Sequence, residues 1–395
     1  MSKKSGSTPT KTTKGRYKIV WMEGDGTGPE VAEASRMVLD SISDLKIEYI
    51  KGDLGWAFWC KEGNAFPDRT VELLKNCDAG FKAPITSKPV KTAEAELVPE
   101  LRGKGLTYRS PIVTMRQMFD LWLCLRPCKA YPGNPNNYKE GIDWVVFREN
   151  TEDLYSGVEF GGPNPPVPKE LSAVLAKFAP KTFAPFKDLP GDQYAISCKI
   201  NTKKSSERII KAAFEFAKKN NRKKVTVVCK ANVIRASDGL FLDMALDIAK
   251  QYPTIQMDYA NIDAMTQWVV KSPFNYDVIV APNLYGDIIS DLCAQLVGGL
   301  GFGMSGNIGD KLAVFEPTHG SAPKYAGQNK VNPIASIMAC KMMLDYLGET
   351  EKGKLIEKAV ADVIKEGKVR TYDFVTTGQT PVGCKEMAKA IAAKL

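Results

Sequence analysis

No stretch of this chain approaches the ~20 consecutive apolar residues that a membrane helix needs, which excludes a spanning protein. Histidine is nearly absent, with His319 the only one in 395 residues. The nine cysteines lack paired metal spacing; Cys124 and Cys128 are the only close pair. An odd number without a framework predicts reduced thiols, mostly in the core, and a cytoplasmic setting. There is no internal repeat, and no low-complexity stretch beyond the N-terminal tail. Acids are missing from residues 1–16, which carry Lys3, Lys4, Lys11, Lys14 and Arg16. This Ser/Thr/Lys-rich tail is expected to be disordered. It lacks the apolar core of a secretory signal, and no large apolar residue lies between Met1 and Tyr17 to build an amphipathic face. An organelle-targeting role stays open on its basic, acid-poor composition alone. The tail holds five of the net nine positive charges, leaving +4 on the rest. A mildly basic body suits anionic small molecules and gives little support to nucleic-acid binding.

With 44% apolar and 25% charged residues, the composition is that of a globular protein with a large core, and the length fits two or three domains. Alternating strand and helix patterns predict an α/β fold. Tyr17–Met22 reads as a first strand. Glu23-Gly24-Asp25-Gly26-Thr27-Gly28-Pro29 follows as a tight turn entering a helix at Pro29, with GxGxGP spacing rather than the dinucleotide GxGxxG. Further strands are expected near 46–51, 194–200 and 225–229, and helices near 30–43, 205–220, 333–347, 351–366 and 383–394. Residues 156–196 are rich in proline and phenylalanine and show no clear period.

The chemistry concentrates between Tyr276 and Asn332. A short β-branched run, Val278–Ala281, reads as a buried strand, Asn283–Gly286 as a turn, and Asp287–Leu292 as the start of a helix. Asp287 and Asp291, four apart, then share a helix face. They either hold a hard divalent cation or cap the helix and suit its dipole. A glycine-rich loop, Gly298–Gly303, leads into Glu316-Pro317-Thr318-His319-Gly320-Ser321-Ala322-Pro323-Lys324-Tyr325, then Asn332-Pro333.

Asn-Leu-Tyr-Gly-Asp-Ile-Ile-Ser-Asp followed by Thr-His-Gly-Ser-Ala-Pro resembles the β-decarboxylating dehydrogenases, the family of isocitrate, 3-isopropylmalate and homoisocitrate dehydrogenases. The resemblance implies their two-domain fold with a mixed sheet, which is not a Rossmann fold. Its expected parts are a large domain over 17–121 and 298–395, a small domain over 122–155 and 194–297, and a dimerisation clasp over 156–193. It implies Mg²⁺ or Mn²⁺ on Asp287, Asp291 and a partner subunit's Asp263. It also places Arg116, Arg126, Arg148 and Ser110 on the substrate, three guanidiniums being suited to a polycarboxylate. Tyr155 matches the proton donor, and Lys230 the catalytic lysine working across a homodimer interface. Thr86, Asn232, His319, Gly320, Lys324, Tyr325, Asn332 and Tyr372 match cofactor positions. Any one arginine alone would more often be a surface ion pair. Lys88–Gly105 exceeds the equivalent loop of typical bacterial isocitrate dehydrogenases, as a lid or a tolerated surface insertion.

Lys324-Tyr325 with Tyr372, in place of an acidic residue, favours NADP over NAD, although Thr376 stands where a further arginine is usual. Isocitrate is the expected substrate, with homoisocitrate or 3-isopropylmalate as alternatives. Ser110-Pro111-Ile112-Val113 resembles some homoisocitrate enzymes. Ile112 either gives up one polar contact, worth ~1 kcal/mol, or packs on an extra methylene, worth about 0.8 kcal/mol. A non-catalytic regulatory subunit is the alternative of another class; the completeness of the residue set argues for the enzyme.

Overall fold

In the computed structural model, which describes residues 16–162 and 165–395, twelve strands form. They are β1 (Arg16–Met22), β2 (Lys46–Lys51), β3 (Ala79–Lys82), β4 (Leu123–Lys129), β5 (Asp143–Glu149), β6 (Glu159–Phe160), β7 (Ile196–Ser197), β8 (Lys224–Cys229), β9 (Gln256–Asn261), β10 (Val278–Ala281), β11 (Met304–Ile308) and β12 (Ala313–Pro317). Ten join one sheet in the order β2-β1-β3-β12-β11-β4-β5-β10-β8-β9. The outer pairings are parallel, while β12–β11, β11–β4 and β4–β5 are antiparallel. The expected mixed sheet is present. Its parallel wings are covered by helices, as buried strands such as Val278–Ala281 require. The tail expected to be disordered lies outside the described residues except for Arg16, which opens β1.

Two large cores flank the central strands. One gathers Ile19, Phe81, Phe315, Ile337 and Ile356; the other Val145, Ile210, Phe214, Val227 and Val280. Leu125 on β4 and Ile308 on β11 pack against both, so this antiparallel pair ties the two halves together. Side chains alternate across a strand, and that alternation sorts the chemistry. Arg126 and Arg148 project to one face. Leu125, Pro127, Lys129 and Val145 line a groove of about 440 Å³ on the other.

Three local expectations need correction. The helix bearing the paired aspartates runs Asn283–Leu296, so Asn283–Gly286 is its first turn rather than a loop, and Asp287 is not its cap. Gly286 is tolerated there because a Cβ would lie 2.6 Å from Arg148 Cγ: packing, not turn geometry, demands the glycine. Within the aperiodic stretch a helix forms at Lys169–Phe178, where Leu171, Val174, Leu175 and Phe178 fall at helical spacing although no residue of the helix is buried. The strand expected at 194–200 shrinks to β7, paired only with β6. Elsewhere the helix patterns fall close to place, at Gly28–Asp40, Lys203–Lys219, Ile334–Tyr346, Thr350–Glu366 and Cys384–Ala392. The segment after Lys88 folds as a short helix, Val90–Ala95, against Trp59, whose indole N–H donates to Ala93 O at 2.7 Å. No helix among the described residues is long and apolar enough to cross a membrane.

Candidate active site

Two strands, two helices and a short turn bring six of the sequence-predicted residues together. Arg148, at the end of β5 and 1% exposed, donates from Nε to Asn283 Oδ1 at 2.9 Å and pairs closely through Nη1 with Asp287. Its Nη2 is buried without a partner. Arg126 on β4 donates from Nη1 to Ser290 Oγ and Asp291 Oδ1, each at 2.7 Å, while its buried Nε has no partner. Tyr155 Oη donates to Asp287 Oδ2 at 2.6 Å. Unpartnered buried N–H groups are costly, and here two arginines each hold one open within a single cluster. Such groups are donors waiting for an acceptor.

Arg116 completes the set from the helix Pro111–Met118, which starts after Ser110. Its Nε donates to Asn307 Oδ1 at 2.9 Å, and Nη2 reaches Glu316 Oε1 at 3.3 Å. Glu316 also takes the buried Lys82 ammonium at 2.7 Å. Sequence reasoning missed Lys82, Glu316 and Asn307. Lys82 lies at the end of β3, and its partner lies on β12, more than two hundred residues away.

The electrostatics follow from crowding. Burial works against the Asp287 carboxylate, but Arg148 and Arg126 outweigh it and hold its pKa below the ordinary value. For Asp291 burial wins over Arg126, and its pKa is raised. Burial likewise raises Tyr155, against the pull of Arg148, so the phenol keeps its proton at neutral pH. Glu316 is the extreme case: burial opposes ionisation, yet Lys82 and Arg116 lower its pKa from 4.5 to about 2. Because the folded value lies below the unfolded one, this stabilisation is complete above pH 4.5 and is lost as pH falls through about 2. Glu316→Gln leaves two buried cations without their anion, a loss of roughly 3–5 kcal/mol at neutral pH. Urea unfolding at several pH values should show the wild-type advantage shrinking across that acid window.

A second cavity, of about 270 Å³, is lined by Thr27, His319, Gly320, Asn332 and Tyr372, among others. The glycine turn packs against its wall: a Cβ on Gly26 (φ +58°) would sit 2.3 Å from Ser321 O. Thr86 is joined to the same wall through Ser321 Oγ at 2.6 Å. His319 Nδ1 donates to Gly320 O at 3.1 Å, leaving the buried Nε2 as an unpartnered acceptor, and burial lowers the imidazole pKa. Tyr325 and Tyr372 lie with ring centroids 5.5 Å apart. Lys324 Nζ sits 4.8 Å from the Tyr325 ring, and Lys330, which sequence reasoning passed over, sits 4.9 Å and 5.1 Å from the two rings.

Three predicted residues stand apart. Lys230 and Asn232 occupy the turn after β8. Lys230 Nζ pairs closely with Asp263, on the helix Ile262–Lys271. Among the described residues no hydrogen bond or ion pair joins them to the arginine–aspartate cluster. Nor, among the described residues, do three or more His, Cys, Asp or Glu side chains form a metal-sized group.

Residues 18–391 match the family model described as isocitrate/isopropylmalate dehydrogenase. Homoisocitrate dehydrogenase of Methanocaldococcus jannaschii is 40% identical over 362 residues, covering 89% of this chain and 91% of that protein. Protein DlpA of Legionella pneumophila is 37% identical over 357 residues; these cover 90% of this chain but only 56% of that longer protein. The crystal structure of isocitrate dehydrogenase from Methylococcus capsulatus superposes with a TM-score of 0.81 at 36% identity, covering 96% of this chain and 99% of that one. The chain belongs to the isocitrate/isopropylmalate dehydrogenase family.

Proposed function

We propose that this protein catalyses NADP-dependent oxidative decarboxylation of isocitrate to 2-oxoglutarate and CO₂, as a homodimer with shared sites. The observation that carries the reading is the convergence of Arg116, Arg126 and Arg148 with Tyr155, Asp287 and Asp291 on one sheet face. Four cations, counting Lys82, face three carboxylates there, and the two open guanidinium N–H groups suit substrate carboxylates. Large and small domains with the boundaries given above, and a clasp over 156–193, belong to the same proposal.

Asp287 and Asp291 offer hard oxygen donors one helical turn apart, a fit for Mg²⁺ or Mn²⁺ with Asp263 contributed by the partner subunit. When bound, the metal would acidify the 2-hydroxyl and steady the enolate left by CO₂, while the nicotinamide would accept hydride from C2. The chain's own residues do the rest. Arg126 and Arg148 exchange their aspartate partners for substrate carboxylates, so the cluster stays charge-balanced when a cation and a polyanion enter together. Lys230 of the partner subunit takes the hydroxyl proton, and Tyr155, held neutral by burial, returns one to C3.

Support for NADP comes from the cavity mouth. Lys324 and Lys330 face Tyr325 and Tyr372 without ion-pair partners among the described residues, an arrangement suited to a 2′-phosphate rather than a bare ribose. Homoisocitrate is the competing substrate, favoured by the Ser110–Val113 run and by the relative of that name. Ile112 packs against the core around Met115 and Leu121, an apolar use that fits either acid.

Steady-state kinetics with isocitrate, homoisocitrate and 3-isopropylmalate, each with NADP and NAD, test the proposal. Isocitrate with NADP is expected to give the highest kcat/KM. A tenfold preference for homoisocitrate, about 1.4 kcal/mol in transition-state binding, overturns the substrate; a higher value with NAD overturns the cofactor.

A further inference from the structure

Behind Tyr155 and Lys230 lies a buried ion triad that none of these roles uses. Lys199 Nζ donates to Asp153 Oδ1 at 2.7 Å and lies 3.1 Å from Asp238 Oδ1. Both aspartates are fully buried. Their remaining oxygens hold backbone rather than side chains. Asp153 Oδ2 accepts from Leu284 N at 3.0 Å, in the first turn of the Asn283–Leu296 helix, and Asp238 Oδ2 accepts from Lys230 N at 2.7 Å. Asp153 N donates to Ile200 O at 2.8 Å, beside Lys199 in sequence. The Lys199 ammonium also sits 4.7 Å from the centre of the Tyr285 ring.

Asp153 has φ +70°, a backbone region that L-residues occupy only when their surroundings compel it. It stands two residues before Tyr155. A single ammonium therefore fixes the strained turn leading to Tyr155, the start of the helix bearing Asp287 and Asp291, and the turn bearing Lys230. Two buried carboxylates without that cation would be strongly disfavoured, so the three segments are held as one unit.

We infer that Lys199 is a positioning residue that holds Tyr155 for this chain's own site and Lys230 for the partner's, with Asp153 and Asp238 as its two arms. The inference rests on the proton-transfer roles proposed for Tyr155 and Lys230. It also separates two sets of residues: the triad makes no contact with Arg116, Arg126 or the cavity lined by His319. Disturbing it should impair proton transfer more than the binding of substrate and cofactor, because the helix bearing Asp287 and Asp291 is also held through Asn283 to Arg148 and Glu152.

The test uses the full-length enzyme with Lys199→Met and Asp238→Asn. Asp238→Asn keeps size and an acceptor for Lys230 N while removing the charge, so it decides the matter if Lys199→Met does not fold. Misplacing a reacting group by about 1 Å costs on the order of 10²-fold; kcat should fall about that much for Lys199→Met and roughly tenfold for Asp238→Asn. KM for substrate and cofactor should stay within about threefold in both. The solvent deuterium isotope effect on kcat should rise above the wild-type value, because proton transfer becomes the slow step. Wild-type kcat in Asp238→Asn, or kcat loss without a change in isotope effect, overturns the inference and leaves the triad as structural support only. Tyr155→Phe and Lys230→Met serve as controls. If they retain turnover, the assigned roles fail; if they are inactive while the triad variants are unaffected, only the triad inference fails.

Discussion

Replacing Asp287 by asparagine is expected to lower kcat/KM by on the order of 10²–10³-fold while leaving nicotinamide cofactor binding, followed by fluorescence titration, unchanged. Both Asp287 oxygens are engaged, one by Arg148 and one by the Tyr155 hydroxyl, so a single carboxylate orders the candidate proton donor and a candidate substrate arginine. The same carboxylate is the better ionised of the two offered to a divalent cation, since Arg148 and Arg126 hold its pKa down. Asparagine keeps the shape but offers one acceptor and no charge. The residual activity should therefore demand much more Mg²⁺ than wild type. The cavity lined by His319 and Asn332 does not include Asp287, which is why cofactor affinity should survive. Full wild-type activity in a strong chelator would remove the metal from the mechanism altogether.

Mixing two dead variants should restore activity. Lys230→Met and Tyr155→Phe homodimers are each expected to be inactive. If Lys230 serves the partner's cleft, a heterodimer contains one site with both native residues and one with neither. Random exchange makes half the dimers mixed, so activity should recover to about a quarter of wild type, as twofold symmetry dictates. The geometry motivates this expectation: within one chain Lys230 pairs with Asp263 and makes no contact with the Tyr155 cluster. No recovery after verified subunit exchange would show that each chain uses its own lysine and would remove the shared site.

The sequence signals that succeeded were local ones. A short, continuous β-branched run marked Val278–Ala281, and Arg126 and Arg148 could be picked out because each sits in a short motif. What failed depended on contacts far apart in the chain. Gly286 looked like a turn because its reason for being glycine is a side chain on β5, 138 positions earlier. Lys82 and Glu316 are ordinary strand residues until β3 and β12 pair and bury them together. The helix Lys169–Phe178 is an exception: its apolar spacing at Leu171, Val174, Leu175 and Phe178 is local, but it lies among prolines and was passed over. Lys199 and its aspartates are separated by some forty positions on either side, and only the folded backbone makes them one group.

At Gly286 the helix axis is pressed so closely onto Arg148 that even alanine would have to displace one of them. Asp287 follows directly, so any such shift would move a carboxylate offered to the metal and the guanidinium offered to the substrate at the same time. Mutational tolerance in this chain should be uneven for that reason. Ile112, on a separate helix, packs against the core around Met115 and Leu121 and is free of that constraint. Position 286 belongs to the part of the protein that a new specificity has to inherit unchanged.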